Sequence, residues 1–265
     1  MPLTQRVEEQ VTLRSSQVSS CTANILPARL VLNYKRIPYE TVWVEHQDLE
    51  ATLKSMQTPR SHLRKHTHQL TNSSSAPPTL SPTNTPTYTV PTILLPSGQA
   101  ISDSLAIAHW AEETHPTPSL HLDSSPHALA ATTVAEATLP LIPNFIPRIP
   151  RDLLRPSSLP FFHASRAARF GMSLDELEAQ RGGEKAWEAA GPGLQALGAL
   201  VREHKVDEGP FVLGREVSYA DFVIVAVLEG FRRIGADLFE RVVREGGEEL
   251  RGVWEACAEW RGKDG

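Results

Sequence analysis

Cysteine is scarce in this sequence: the 265 residues contain two, Cys21 and Cys257, near opposite ends of the chain. Two cysteines so far apart exclude the disulfide framework of small secreted proteins and favour a reducing compartment, so we expect a cytoplasmic location. Long hydrophobic runs are lacking too, which excludes a membrane-spanning helix and a membrane partner. Residues 1–9 carry charges and no apolar stretch, so no signal peptide is expected.

An excess of positive charge is also missing. The formal net charge is −5, and a nucleic-acid partner would require a basic face. We therefore expect no nucleic acid among the partners. The chain has 40% hydrophobic and 22% charged residues, which is the composition of a globular protein with one large domain or two ordinary ones.

The first part of the chain alternates strand and helix signals. Runs of β-branched and aromatic residues predict strands, and apolar stripes at helical spacing predict helices. Residues 57–87 break all periodicity and contain a Ser/Pro-rich run that cannot bury a core, so they predict a disordered insertion. The predicted order is β-α-β-α, insertion, β-β-α, with elements at 11–13, 24–34, 39–44, 48–56, 90–95, 99–101 and 102–113.

The second part of the chain is helical in pattern and follows a proline-rich linker at 115–118. Ser218 and Asp221 form a variant capping box, with Asp in place of Glu or Gln, before an apolar helix. These shifts predict an α/β domain at 1–115 and an all-α domain at 119–265.

The most informative local feature is Val90-Pro91. Proline has no N–H for a sheet ladder, so this pair belongs at the start of a strand or at a cis bond, and we predict a cis bond. A residue held before a cis-proline presents its own N–H and C=O to a ligand. Asp103 and Ser104 then bring a carboxylate and a hydroxyl to the start of a helix, and the whole arrangement can grip both ends of a small peptide.

Three stretches of the chain resemble the glutathione S-transferase superfamily, with the closest likeness to the fungal etherase-like (fungal class A) type. They are residues 29–45, residues 88–91 together with 102–108, and residues 218–221. The resemblance implies a thioredoxin-like domain followed by a helical bundle, glutathione as co-substrate and a small apolar electrophile as second substrate. It also implies a homodimer and a role in detoxification or secondary metabolism.

The same resemblance implies roles for individual residues around the glutathione sulfur. Thr22 stands where the fungal enzymes carry a serine that hydrogen-bonds the sulfur, and Asn24 matches their asparagine, while the intervening proline is missing. Cys21, one residue earlier, is the alternative and would make the site one of the cysteine type. An ordinary helix cap made by Thr22 and Asn24 is the other interpretation.

The remaining contacts to glutathione fall on the second matching stretch. Val90 and Pro91 would pair with the cysteinyl backbone in the manner of an added strand. Asp103 would bind the ammonium of the γ-glutamyl group, and Ser104 would bind its carboxylate. The two residues are also a normal helix start, and both roles are compatible.

Aromatic and arginine side chains that follow the linker predict a pocket for the electrophile, with core packing of the aromatic rings as the alternative. The predicted pocket residues are Phe145, Arg148, Phe161 and Phe162, with Phe170 and Arg166 as further members.

Three histidines in the insertion, His62, His66 and His68, raise the question of a metal site. They lie in a polar segment without cysteine support, which favours a solvated loop, so no metal is expected.

The residues leave three functions open. The first is conjugation of glutathione to an electrophile, and the second is glutathione-dependent ether cleavage or isomerisation at the same site. The third is a non-catalytic protein that keeps the fold for binding or scaffolding. A lowered thiol pKa of bound glutathione would separate the enzymes from the scaffold.

Overall fold

The computed structural model describes residues 11–15, 25–45, 48–55 and 90–262. Its first part is a four-stranded sheet in the order β2-β1-β3-β4. Strands β1 and β2 are parallel, whereas β3 is antiparallel to both β1 and β4. The strands are β1 Val11–Ser15, β2 Tyr39–Trp43, β3 Thr92–Leu94 and β4 Ala100–Ser102.

Three helices belong to this sheet: α1 Leu26–Tyr34, α2 Leu49–Ser55 and α3 Ser104–Thr114. Helix α1 is the core helix of the domain, because Leu30, Val31 and Leu32 are all fully buried. Proline is tolerated in its first turn, and Arg36 ends it with a positive φ of 55°. The β1-α1-β2 unit followed by an antiparallel hairpin and a helix is the thioredoxin-like arrangement, which confirms the predicted α/β class.

The second part of the chain is helical, with two short 3₁₀ turns at 139–141 and 156–158. Helix α10 is the central element: Phe222, Ile224, Val225 and Leu228 are fully buried, and it packs against α1, α4, α11 and α12. The helices are α4 Ser125–Thr138, α5 Ile142–Phe145, α6 Arg148–Asp152, α7 Leu159–Phe170, α8 Leu174–Arg181, α9 Glu184–Glu203, α10 Tyr219–Ile234, α11 Ala236–Gly246, α12 Glu248–Ala256 and α13 Ala258–Arg261.

A capping network starts α10. The backbone N–H and the hydroxyl of Ser218 both donate to Asp221 Oδ2 at 2.7 Å, and the backbone N–H of Val212 donates to Oδ1 at 2.7 Å. All three bonds hold a fully buried carboxylate at the positive end of the helix dipole. The predicted box with Asp in the third position is therefore present.

Helices α4, α9 and α11 approach one another closely at glycines. A Cβ on Gly193 of α9 would lie 2.5 Å from the carbonyl carbon of Glu136 in α4, and a Cβ on Gly198 would overlap the carbonyl oxygen of Gly246 in α11. No larger residue fits at either crossing without a shift of backbone.

Several predictions fall outside what the structure describes. The insertion at 57–87, with its three histidines, belongs to the part of the chain left undescribed. Within the described ranges, no group of three or more His, Cys, Asp or Glu side chains is arranged to hold a metal ion. Within the same ranges, no helix has the length and hydropathy needed to cross a membrane. The domain limits 1–115 and 119–265 stay a prediction.

Candidate functional site

The register of the sheet brings the predicted binding residues to one end of it. Arg14 near the end of β1 lies opposite Thr92 at the start of β3, and Thr92 lies opposite Ser102 at the end of β4. Because β1 and β2 are parallel and α1 connects them, α1 runs back along the sheet and its N-terminus lies at this same end. Helix α3 also begins here, immediately after β4.

The loop before β3 has the predicted conformation, with a cis bond between Val90 and Pro91. The Pro91 carbonyl accepts the backbone N–H of Asp103 at 3.1 Å, and the hydroxyls of Thr92 and Ser102 are 2.7 Å apart and buried. Among the described residues, no backbone partner is found for the N–H or the C=O of Val90. Both groups are therefore placed to pair with an extended peptide.

Asp103 caps α3 from an unusual backbone conformation. Its φ of 86° lies in a region that few residues other than Gly, Asn and Asp adopt. Its Oδ1 accepts the backbone N–H groups of Leu105 at 2.9 Å and Ala106 at 3.4 Å. Within the described residues Oδ2 makes no hydrogen bond, which leaves one carboxylate oxygen for a ligand cation.

Ser104 has a partner that the sequence did not reveal. Its hydroxyl shares a hydrogen bond with the phenol of Tyr219, the first residue of α10 in the other half of the chain. Burial raises the pKa of Tyr219, so the phenol stays protonated at neutral pH. The ring of His127 lies edge-on to Tyr219 with centroids 5.4 Å apart. Burial is the main cause that lowers the pKa of His127, and the charge of the nearby His109 lowers it further.

A chain of hydrogen bonds connects this contact to the linker. The backbone N–H of Tyr219 donates to the carbonyl of Leu120 at 2.8 Å, and the N–H of Leu120 donates to the Glu112 carboxylate at 3.0 Å. Glu112 in turn accepts from Lys35 at 2.5 Å. Ser104 is thus positioned by a network that includes α1, α3, the linker and α10.

Two family models match the chain. Residues 26–114 match "Glutathione S-transferase, N-terminal domain", and residues 127–260 match "Glutathione S-transferase, C-terminal domain". The chain belongs to the glutathione S-transferase family. The resemblance inferred from residues 29–45, from 88–91 together with 102–108, and from 218–221 is therefore confirmed at the level of the superfamily.

Individual relatives agree with this assignment. The chain is 26% identical over 257 residues to the glutathione S-transferase-like protein ustS of Aspergillus flavus, covering 91% of this chain and 85% of the relative. It is 30% identical over 154 residues to a probable maleylacetoacetate isomerase of Caenorhabditis elegans, covering 58% of this chain and 60% of the relative. A solved glutathione S-transferase of Ceriporiopsis subvermispora, in complex with glutathione, superposes with a TM-score of 0.74 at 26% identity, covering 95% of this chain and 97% of that one.

A further side of the candidate site comes from the helical half of the chain. Val44, just after β2, packs in one apolar cluster with Ile25 and Val90. The next residue, Glu45, accepts a hydrogen bond from the hydroxyl of Ser158 at 2.7 Å, directly before α7. The beginning of α7 is therefore held beside the loop that carries Val90.

The residues predicted for the electrophile pocket have different environments. Phe145 packs edge-on against Phe231 at 5.4 Å, and Arg148 forms a bidentate pair with Asp237 at 2.8 and 2.9 Å. These contacts are typical of structural packing between helices. Phe162 is buried, whereas Phe161 beside it is 43% exposed. The pocket itself stays a prediction.

The residues predicted to act on the sulfur, Thr22 with Asn24 or else Cys21, lie outside the described residues. The other cysteine, Cys257, is fully buried, and burial raises the pKa of its thiol well above the ordinary value. Cys257 is therefore unsuited to act as a thiolate.

Proposed function

We propose that this chain binds glutathione and joins it through its sulfur to an apolar electrophile. Three features of one end of the sheet support this: the backbone groups of Val90, which have no backbone partner among the described residues, the carboxylate of Asp103, and the hydroxyl of Ser104 at the start of α3. Glutathione, which is γ-glutamyl-cysteinyl-glycine, has a group that matches each of these three features. The cysteinyl backbone pairs with Val90, the γ-glutamyl ammonium with Asp103, and its carboxylate with Ser104 and the helix N-terminus.

The chemical step requires a thiolate. The hydroxyl of Thr22, together with Asn24 and the N-terminus of α1, would stabilise the charge on the glutathione sulfur. The thiolate attacks the electrophilic carbon and forms a C–S bond, the leaving group departs with its bonding electrons, and the thiol proton goes to solvent. If Cys21 occupies the place of Thr22, the site instead forms a mixed disulfide with oxidised glutathione and releases reduced glutathione.

The binding part of the proposal is tested by titration calorimetry with glutathione. Ser104→Ala should weaken binding by about 1–3 kcal/mol, because a bound carboxylate loses a donor. Ser125→Ala is the matched control, since Ser125 is the first residue of α4 as Ser104 is of α3, and it should leave the affinity unchanged.

Asp103→Asn isolates the charge of the γ-glutamyl grip. Asn keeps an oxygen to cap α3 and tolerates positive φ, so only the negative charge is removed. We expect Asp103→Asn to bind glutathione more weakly than the wild type does. An analogue without the γ-glutamyl ammonium should bind to the variant and to the wild type with the same affinity. Unchanged glutathione affinity in both Asp103→Asn and Ser104→Ala would mean that the two residues only cap the helix.

The catalytic part is tested at Thr22 and Cys21. Thr22→Ala should raise the thiol pKa of bound glutathione, which is measured by the absorbance of the thiolate. It should also slow conjugation of glutathione to 1-chloro-2,4-dinitrobenzene, with little change in the affinity for glutathione. Thr22→Ser should keep the activity and Cys21→Ser should be nearly silent. Loss of turnover in Cys21→Ser, with a trapped mixed disulfide, would favour the cysteine type instead.

Glutathione-dependent isomerisation is the second candidate, favoured by the partial match to the C. elegans probable isomerase. Addition of the thiolate to a cis double bond, rotation and loss of the thiolate would leave glutathione unconsumed. Incubation with maleylacetone separates the two reactions: a trans product with constant glutathione indicates isomerisation, and loss of glutathione indicates conjugation. Glutathione binding without a lowered thiol pKa or any turnover would favour the non-catalytic alternative. Ether cleavage, homodimerisation, a cytoplasmic location and a role in detoxification or secondary metabolism stay predictions of the resemblance.

A further inference from the structure

Arg166 on α7 is a partly buried cation without an anionic partner in the described residues. Its Nε is buried and makes no hydrogen bond there, and its Nη1 donates only to the hydroxyl of Ser165, at 3.3 Å. Burial is the main cause that lowers the pKa of Arg166, and the positive charge of Arg169 lowers it further. The buried Nε of this guanidinium loses its hydration without gaining a hydrogen-bond partner in the described residues, which is unfavourable.

The position of Arg166 relates it to the candidate glutathione site. Phe162 and Arg166 are four residues apart and so share one face of α7. The N-cap of α7, Ser158, donates a hydrogen bond to Glu45. The helix that carries Arg166 therefore begins next to the Val90 loop, about 12 Å before this arginine.

Aromatic surface accompanies the charge. The guanidinium carbon of Arg166 lies 4.5 Å from the centroid of the Phe162 ring. With one flat face of the guanidinium against the ring, the N–H groups at the edge of the guanidinium can bind a second partner. A planar guanidinium above an aromatic ring matches a carboxylate attached to a flat apolar group, because Arg binds carboxylates through two parallel hydrogen bonds.

We propose that Arg166 binds the anionic group of the second substrate, so that the preferred electrophile is an aromatic or otherwise planar carboxylate. This inference rests on the proposed function, because it assigns the substrate class of the same transferase site. Arg166 is a specificity residue in this proposal, and it takes no part in activating the sulfur.

The test compares two electrophiles that differ in whether the group para to the chlorine is charged, 4-chloro-3-nitrobenzoate and its methyl ester. Each variant is compared with wild type on the same compound, so that the different intrinsic reactivities of acid and ester cancel. In each, the glutathione thiolate forms a C–S bond at the carbon that bears chlorine, and chloride leaves with the bonding electrons. We expect Arg166→Gln to lower kcat/KM for the acid at least tenfold and for the ester less than twofold. Arg166→Lys should restore part of the activity on the acid.

Arg169→Gln is the matched control, because Arg169 is one turn further along α7 and its guanidinium carbon lies 5.5 Å from the centroid of Phe170. It should change both substrates by less than twofold. An equal loss for acid and ester in Arg166→Gln would overturn the proposal and leave Arg166 a structural residue. If Arg166→Gln does not fold, Arg166→Met decides, since it also removes the charge, and a change in the acid-to-ester ratio below threefold would equally overturn the proposal.

Failure of the proposed function is recognised separately. If the wild-type chain conjugates neither compound, calorimetry with 4-chloro-3-nitrobenzoate measures binding directly, in the presence and absence of S-methylglutathione. Binding that falls at least tenfold in Arg166→Gln, and not in Arg169→Gln, supports the anion site even without catalysis. Binding that is equal in wild type and Arg166→Gln, or undetectable in wild type, overturns it.

Discussion

Lys35 is a buried charge that contacts several elements, so we expect its substitution to lower the stability of the fold. Its side chain is fully buried, and Nζ donates to the Glu112 carboxylate at 2.5 Å, to the carbonyl of His115 at 2.7 Å and to that of Pro118 at 2.5 Å. An ammonium has three donors, and here each has an acceptor. Lys35 thereby joins the end of α1 to α3 and to the linker between the two halves.

The expected cost of Lys35→Met follows from what remains behind. Two carbonyls lose their donor, and Glu112 loses its counter-ion, although its carboxylate still accepts from the Leu120 N–H and the Ser119 hydroxyl. Removal of one partner of a buried pair costs about 3–5 kcal/mol. Because the Glu112 side chain is 25% exposed, we expect the lower part of that range, about 3 kcal/mol.

Urea unfolding at neutral pH measures this cost, with Lys54→Met as control. Lys54 pairs with Glu50 at 2.6 Å, but both side chains are more than half exposed, so its loss should cost less than about 0.5 kcal/mol. The double variant with Glu112→Met should be more stable than Lys35→Met alone, because no uncompensated carboxylate remains. If Lys35→Met unfolds within about 0.5 kcal/mol of Lys54→Met, the buried network does not stabilise the fold as argued.

Three further outcomes are expected. Tyr219→Phe should weaken glutathione binding by about 1 kcal/mol in calorimetry, because Ser104 loses the partner that orients it; unchanged affinity would exclude that role. Gly198→Ala should lower the thermal midpoint by forcing two helices apart, whereas Gly252→Ala, with open space around it, should raise stability by up to about 1 kcal/mol. Burial alone would raise the pKa of Glu229, but hydrogen bonds from two arginines lower it to about 2, so the stability that it contributes is complete above its unfolded pKa of about 4.3 and is lost as the pH falls towards 2. The unfolding free energies of wild type and Glu229→Gln should therefore converge over that range, and a constant difference would contradict the argument.

Local patterns predicted the elements that build the N-terminal site. The apolar stripe from Leu26 to Tyr34 became α1, because residues three and four apart meet the sheet on one face and proline is harmless in the first turn. The cis bond before Pro91 and the start of α3 were also predicted, since both depend on the chemistry of a few adjacent residues. The all-α prediction for 119–265 includes α11, Ala236–Gly246, but gave no bounds for it, although its buried Leu238, Phe239, Val242 and Val243 keep helical spacing.

Contacts between distant residues were beyond such patterns. Arg148 was predicted to line a pocket, yet its guanidinium pairs with Asp237, 89 residues away. An isolated arginine in the sequence carries no sign of whether a carboxylate will meet it. The same holds for Arg166, which the sequence placed beside Arg148 in the same pocket, although in the described residues it has no such carboxylate.

The capping box of α10 combines a local pattern that the sequence predicts with a distant contact that only the structure shows. The sequence predicts the cap of Ser218 and Asp221 because a capping box is formed by residues three apart, whereas no local pattern indicates a role for Tyr219 between them. The cap fixes the first turn of α10, and the first turn sets where the Tyr219 phenol points. A hydrogen bond to Ser104 then requires the two halves to be held together, as Lys35, Glu112 and Leu120 hold them. A motif that stabilises a helix therefore also positions a predicted glutathione ligand, and substitutions at Asp221 should impair folding and glutathione binding together.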